Sequence, residues 1–348
     1  MAGRLRVLRA GPGHTIQDAG RFGYLRFGVT PAGPMDWQAF RTVHLVLGND
    51  PGKAAAIEVS LGGIDLVCEE EALWIAFAGG DFIWRRGAQA CGAAALLRLA
   101  PGDVLTARPG AAGAFAYLSV EGGLATPMIL GSRATHTRSA IGGIDGRMLQ
   151  PGDVLPRDIA AANSAGVYTE ARIDAPWLAR DTSALLVVPG PQDDYFTTAA
   201  METFFSAEFR LTVNADRMAY RFTGPAIAHR KGFNIVTDGV ALGAIQVGGD
   251  RQPMILMADR QPTGGYPKIG HVARVDISRL AQLRPGEACR FAPATAEEAR
   301  QALLTREDAI LRSRDHLRPL TRLPSSEELL SLNLVGGVTG GDDADEEA

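Results

Sequence analysis

"LRLAPGDVLTA", residues 97–107, sets two short apolar runs on either side of a Pro-Gly-Asp turn. Leu97 and Leu99 alternate with Arg98, the period of a half-buried strand, and the turn residues end it before Val104 and Leu105 begin another. The same turn recurs in "RMLQPGDVLPR" (147–157) and, with Glu for Asp, in "LAQLRPGEACRFA" (280–292). A second repeat joins "ALWIAFAGGDF" (72–82) to "ALLVVPGPQDDYF" (184–196), each a strand running into a glycine turn with an Asp. Two similar β modules account for both repeats.

Other runs fit the pattern: "LRVLRAG", "GIDLVCEE", "AFAYLSVEGG", "FRLTVN", "AIQVGGD", "MILMADRQ" and "CRFAPA" are short, rich in Val, Ile, Leu and Phe, and bounded by Gly, Pro or Asp. The chain therefore reads as mainly β with a few helices. Helices are expected in "MDWQAFRTVHLVLG", in "DDYFTTAAMETFFSAEF" with an Asp at its start, in "DISRLAQL", and in the charged, amphipathic "ATAEEARQALLTREDAILRSRDHL". The expected division is an N-terminal β module over 1–160, a linker over 161–176, a C-terminal β module over 177–293, a helical extension over 294–335 and a disordered acidic tail over 336–348.

Composition excludes several classes. The 348 residues carry a formal charge of -4, without the basic excess of a nucleic-acid binder. Three cysteines, Cys68, Cys91 and Cys289, are far apart and form no C-x-x-C pair, which argues against a disulfide framework or a structural zinc site. The start has no signal-peptide core, and no run is long enough to span a membrane, so a cytoplasmic protein is expected. Walker-type phosphate loop, G-x-S-x-G and H-E-x-x-H motifs are missing, and the six histidines lack ligand spacing. No metal site is expected from side-chain spacing.

Five polar, glycine-rich turns remain. "GPGHTIQDAGRFGYLRFGVTPAGPMD" (11–36) carries Gln17, Asp18, Arg21 and Asp36, which either approach an anionic ligand or cap turns and a helix. "LGSRATHTRSAIGG" (130–143) offers Arg133, Thr135 and Arg138 to a carboxylate or phosphate, unless it is a plain surface loop. "VPGPQDDYF" holds Gln192, Asp193 and Asp194, with Asp194 a candidate helix cap. "VNADRMAYRF" pairs Asp216 with Arg217, as a site or as a structural ion pair. The fifth, "ILMADRQPTGGYPKIGHV" (255–272), gathers Asp259, Arg260, Gln261, Thr263, Gly264, Gly265, Tyr266 and Lys268. Lysine occurs only at 53, 231 and 268 among 35 basic residues, so Lys268 is a choice of ammonium in a chain that otherwise uses Arg. A compact ammonium with rotatable donors suits a transferring phosphoryl or carboxyl group.

These motifs, with "IEVSLGG", together resemble the biotin-dependent carboxyltransferase family, also called allophanate hydrolase subunit 2, over about residues 4–293. The resemblance implies two cyclophilin-like β-barrel modules. It is strongest to the branch that serves bacterial ATP-dependent 5-oxoprolinases, which implies a component acting with partner subunits B and A to convert 5-oxo-L-proline to L-glutamate. ATP with Mg2+ would then be bound with, or by, the partner. The implied catalytic set is Lys268, Arg260, Asp259 and Gln261. Gln17, Asp18, Arg21, Asp36, Arg133, Thr135, Asp216, Arg217, Thr263, Gly264, Gly265 and Tyr266 are the implied substrate- or phosphate-binding residues. Two other readings stay open: carboxyl transfer to urea or another small amide, or a non-catalytic regulator that binds a kinase inhibitor resembling the B component. Met-Lys-Met is absent and none of the three lysines lies in a biotin-carrier context, so covalent biotin is not expected on this chain. Pro262 stands where the family pattern calls for a small polar residue.

Overall fold

A computed structural model describes residues 3–161 and 168–320. Most of its regular structure is strand, as the alternating runs require. In the N-terminal module a six-stranded sheet (Val154–Pro156, Arg4–Ala10, Ile64–Glu69, Val104–Pro109, Phe82–Arg86, Gln89–Gly92) faces a seven-stranded one. The second runs Thr15–Gln17, Ala56–Val59, Ala116–Val120, Leu73–Ala78, Ala95–Leu99, Ala171–Ile173, Leu317–Pro319. Alternation decides what each strand buries. Leu73, Ile75 and Phe77 enter the core between the sheets with Leu66, Trp84, Leu97 and Leu105, while Ala76 and Ala78 face helix α1 (Trp37–Val46). Small residues on that outer face let α1 pack closely through Ala39, Phe40 and Val43.

The C-terminal module is one eight-stranded sheet: Ala288–Cys289, Phe209–Ala215, Ala219–Thr223, Pro253–Leu256, Ala244–Val247, Lys268–Val272, Leu185–Pro189, Phe291–Pro293. Its first and last strands are consecutive in the chain, separated only by Arg290. The two edges therefore meet, and the sheet is a nearly closed barrel, filled by Val187, Phe204, Phe222, Ile245, Ile255, Ile269 and Phe291.

All three Pro-Gly-acid turns have one geometry. Gly102, Gly152 and Gly286 take φ of 91°, 93° and 90°, a region glycine enters without steric cost. In each, the acid accepts from the backbone N–H three residues earlier: Asp103 from Ala100 at 2.8 Å, Asp153 from Gln150 at 2.9 Å, Glu287 from Arg284 at 2.9 Å.

Helix α1 starts at Asp36, whose carboxylate accepts from Gln38 N and Ala39 N. Helix α2 (Thr198–Ser206) is capped by Thr197; Asp194 lies in a preceding 3-10 turn, Asp193–Tyr195, and does not cap it. Helix α3 (Ile277–Ala281) follows the barrel strand, and α4 (Ala296–Leu311) opens with a Thr295–Glu298 capping box. Part of the stretch expected as a linker is structural: Ala171–Ile173 joins the N-terminal sheet beside Ala95–Leu99. Beyond α4, Leu317–Pro319 pairs with Ala171–Ile173, so the extension returns to the N-terminal module. Residues 162–167 of the expected linker, 321–335 of the expected extension and the expected tail at 336–348 lie outside the described residues. No helix among the described residues is long and apolar enough to cross a membrane. The three cysteines are free.

Candidate functional site

Lys268 begins a barrel strand, and its side chain is 2% exposed. Its Nζ donates to Asp238 Oδ2 at 2.6 Å and to Gly239 O at 3.3 Å. Asp238 and Gly239 pair with Thr263 and Gly264 in a two-residue ladder laid over the lysine. Gln192 reaches the same place from the 189–196 turn and accepts from Lys268 N at 3.1 Å. The Lys268 ammonium, its strongest influence, together with the Gly239 N–H, holds the Asp238 carboxyl below the usual carboxylate range. Asp238 is 54% exposed and can be solvated, so this pair is one that an incoming anion can exchange with. Residues 231–239, which lead into the ladder, are exposed at every position but Ile235.

A second charged centre lies between the modules. Arg217 is clamped by Glu58 Oε1 at 2.5 Å and bidentately by Asp259 at 2.8 and 2.9 Å, and donates to Gly33 O at 2.7 Å. Glu58, wholly buried, also accepts from Tyr117 Oη at 2.6 Å and Met35 N at 2.9 Å. Burial opposes the Arg217 charge, but Asp259 and Glu58 outweigh it and raise its pKa; burial beside Glu58 raises that of Tyr117 as well. The Asp216–Arg217 neighbours thus part company. Arg217 enters this network, while Asp216 stays at the surface, caps its own turn through Met218 N and Ala219 N, and pairs with Arg138 at 3.3 Å.

Most residues of the first two polar turns clasp those turns together. Asp18 accepts from Ser132 Oγ, Arg133 N and Gly20 N. Arg21 donates to the carbonyls of Ile129 and Ala134. Gln17 binds Thr15 Oγ1, Thr135 O and Gly33 N, so Gly33 ties the clasp to Arg217. Arg133 bonds Asp158 at 2.9 Å and Thr126 O. Asp36, expected to bind ligand or cap a helix, is saturated by its helix and by Gln282 Nε2 at 2.7 Å. Arg260 turns inward to Val240 O and Met257 O, and burial lowers its pKa. Gln261, Gly264 and Gly265 are half-buried and Thr263 and Tyr266 exposed, all beside the ladder. The structure thus distributes the residues of the five turns over the Lys268 site, the Arg217 network and this clasp.

Sequence reasoning passed over Glu58, Asp238, Gln246 and His136. Glu58 and Gln246 had a local signal: each is the one polar residue in an otherwise apolar strand, "AIEV" and "AIQV". Asp238 had none, since only the fold brings it to Lys268. The His136 imidazole, buried with both ring nitrogens unpartnered, has its pKa pushed down by burial. Two clefts, of about 420 Å³ at the module junction beside Asp36 and Gln282 and about 440 Å³ beside Asp18, Lys53 and Arg133, lie away from Lys268. Neither presents a buried ammonium. No group of three His, Cys, Asp or Glu among the described residues can hold a metal ion. Asp259, Glu58 and Asp238 are already matched to protein cations, so this donor set does not fit Mg2+.

Three comparisons place the chain. Residues 27–293 match the model of the carboxyltransferase domain, subdomain A and B. The chain is 36% identical to the protein named as the C subunit of 5-oxoprolinase in Haemophilus influenzae, over 85% of its own length and 92% of that protein. It is 32% identical to the protein of the same name in Escherichia coli, over 86% and 94%. The crystal structure of Kluyveromyces lactis urea carboxylase superposes with a TM-score of 0.81 at 28% identity, covering 92% of this chain, which spans about a third (31%) of that one. By its motifs, its barrel and these matches, the chain belongs to the carboxyltransferase-domain family.

Proposed function

We propose that this chain is the C component of an ATP-dependent 5-oxoprolinase, opening 5-oxo-L-proline to L-glutamate together with subunits A and B. The observation that carries the proposal is the near-complete overlap with relatives named as the C subunit of 5-oxoprolinase, 92% and 94% of their lengths. In this reading B and C activate the lactam by phosphorylating its oxygen, and A hydrolyses the activated species. ATP and its magnesium enter with the B component. Lys268 is the catalytic cation: largely shielded from water, its ammonium stabilises negative charge that develops on the lactam or phosphoryl oxygen. Thr263 and Gln261, at the mouth, orient the substrate, and Asp238 holds the ammonium until substrate displaces it. Arg260 and Asp259 support the loop from behind through the bonds described above.

The likeness to urea carboxylase favours one alternative, transfer of a carboxyl group to a small amide from biotin carried by another protein. Glutamate release from 5-oxoproline and ATP, measured with each component omitted in turn, separates the readings. Release that requires C supports the proposal. Release unchanged without C, or a strict requirement for bicarbonate, overturns it.

A further inference from the structure

Gln246 is fully buried in the strand Ala244–Val247 and pairs with Lys268 across the antiparallel ladder, just past a one-residue shift of register at Ile269. Facing residues in such a pair share one side of the sheet. The amide Nε2 donates to Tyr266 O at 3.3 Å, and that bond fixes which way the amide points, because a carbonyl oxygen cannot face another acceptor. Oε1 is thereby left as a buried acceptor with no partner. An unpaired buried acceptor is costly unless something completes it. Across the pair, Lys268 Nζ has three N–H donors and places two of them, on Asp238 and Gly239. Gln246 thus carries one open acceptor and Lys268 one open donor, on paired residues of neighbouring strands that both touch the Asp238–Gly239 and Thr263–Gly264 ladder. Gly264 is pressed against the amide: a Cβ there would fall 2.6 Å from Gln246 Nε2.

We infer that Gln246 and Lys268 together read the edge of a cis amide, in which N–H and C=O point the same way, with Gln246 Oε1 accepting from the N–H and Lys268 donating to the C=O. Lactams and urea both present this edge; ordinary trans peptides do not. The inference rests on the reading of Lys268 as the substrate site. The ladder is the cover that lifts to admit the substrate, and the substrate's own groups replace Asp238 and Gly239 on the ammonium. Gln246 orients the substrate and takes no proton.

The test is calorimetric titration of the full chain, alone and with the partner subunits, with 5-oxo-L-proline and with its lactone analogue, in which a ring oxygen replaces the N–H at almost equal size. Wild type is expected to bind the lactam about 10- to 100-fold more tightly than the lactone, because the lactone sets an oxygen against Oε1. Gln246→Met, which keeps the bulk and removes the acceptor, is expected to bring the ratio close to 1. Gly264→Ala, which displaces the amide without altering its chemistry, is expected to weaken lactam binding in a chain whose melting shows it folded. A urea titration distinguishes the two sources of the edge: binding lost in Gln246→Met assigns urea to the same pair. An unchanged lactam-to-lactone ratio in Gln246→Met, or no binding of either cis amide by wild type in any assembly, overturns the inference. Cis-amide binding lost in Gln246→Met without glutamate release by the assembled subunits would keep the inference and overturn the proposed reaction, while release with an unchanged ratio would do the reverse.

Discussion

Replacing Arg217 with Ala removes a buried cation that joins the modules, and the structure says which partner suffers. Glu58 loses one ligand but keeps Tyr117 Oη and Met35 N. Asp259, 7% exposed, has no side-chain donor besides Arg217 among the described hydrogen bonds. Breaking a buried pair by removing one partner costs about 3–5 kcal/mol, because a charge is left uncompensated. The larger share here falls on Asp259. Adding Asp259→Asn to Arg217→Ala is therefore expected to recover about 1–3 kcal/mol, and adding Glu58→Gln less than about 1. Urea unfolding of the four proteins, compared at constant slope, measures this. A loss below about 1 kcal/mol for Arg217→Ala, or better rescue by Glu58→Gln than by Asp259→Asn, would refute the reasoning.

Three further outcomes are expected. Lys268→Met should abolish most glutamate release by the assembled subunits yet leave the unfolding free energy within about 0.5 kcal/mol of wild type, since exposed Asp238 is simply rehydrated; Lys268→Arg should not restore activity, its planar fork being the wrong shape for a point charge. Tyr117→Phe should cost about 1–3 kcal/mol, because it strips a donor from buried Glu58 and an acceptor from the Asp36 N–H at 2.9 Å; a neutral result in thermal melts would remove Tyr117 from the network. Burial lowers the pKa of His44 to about 3 and of His14 to about 4, so each folds neutral. The unfolded chain binds those protons near pH 6.5 and the native chain does not, so stability is full above that pH and falls as pH drops towards 4, by on the order of 2–5 kcal/mol. Flat stability from pH 7 to pH 4 in the wild type, or equal acid loss in His44→Gln, would contradict it.

The fold was legible because its signals are local. Alternation in "ALWIAFAGG", and the Pro-Gly-acid turns with their positive-φ glycine and back-bonding acid, act within a few residues. The site was legible in part. Lys268 stood out through the scarcity of lysine, and Asp259 through its charged neighbours, but no short-range pattern reveals that Asp259 turns to Arg217 while Lys268 turns to Asp238. Those pairings are set by which strands lie side by side, 42 and 30 residues apart in sequence. The Asp194 cap failed for a local reason: Thr197, three residues later, offers a hydroxyl to Ala200 N at the point where regular α-helix begins.

The strand Leu317–Pro319 has a consequence for how the molecule can be divided. It lies at the outer edge of the N-terminal sheet, yet its chain has first passed through the whole barrel and α4. The two halves are thus interleaved in sequence. A fragment ending before Ala171 would bare the edge of Ala95–Leu99, whose unpaired N–H and C=O groups invite strand addition from other chains. Expressed apart, the halves would tend to aggregate; expressed together, they would recover the missing edge from each other.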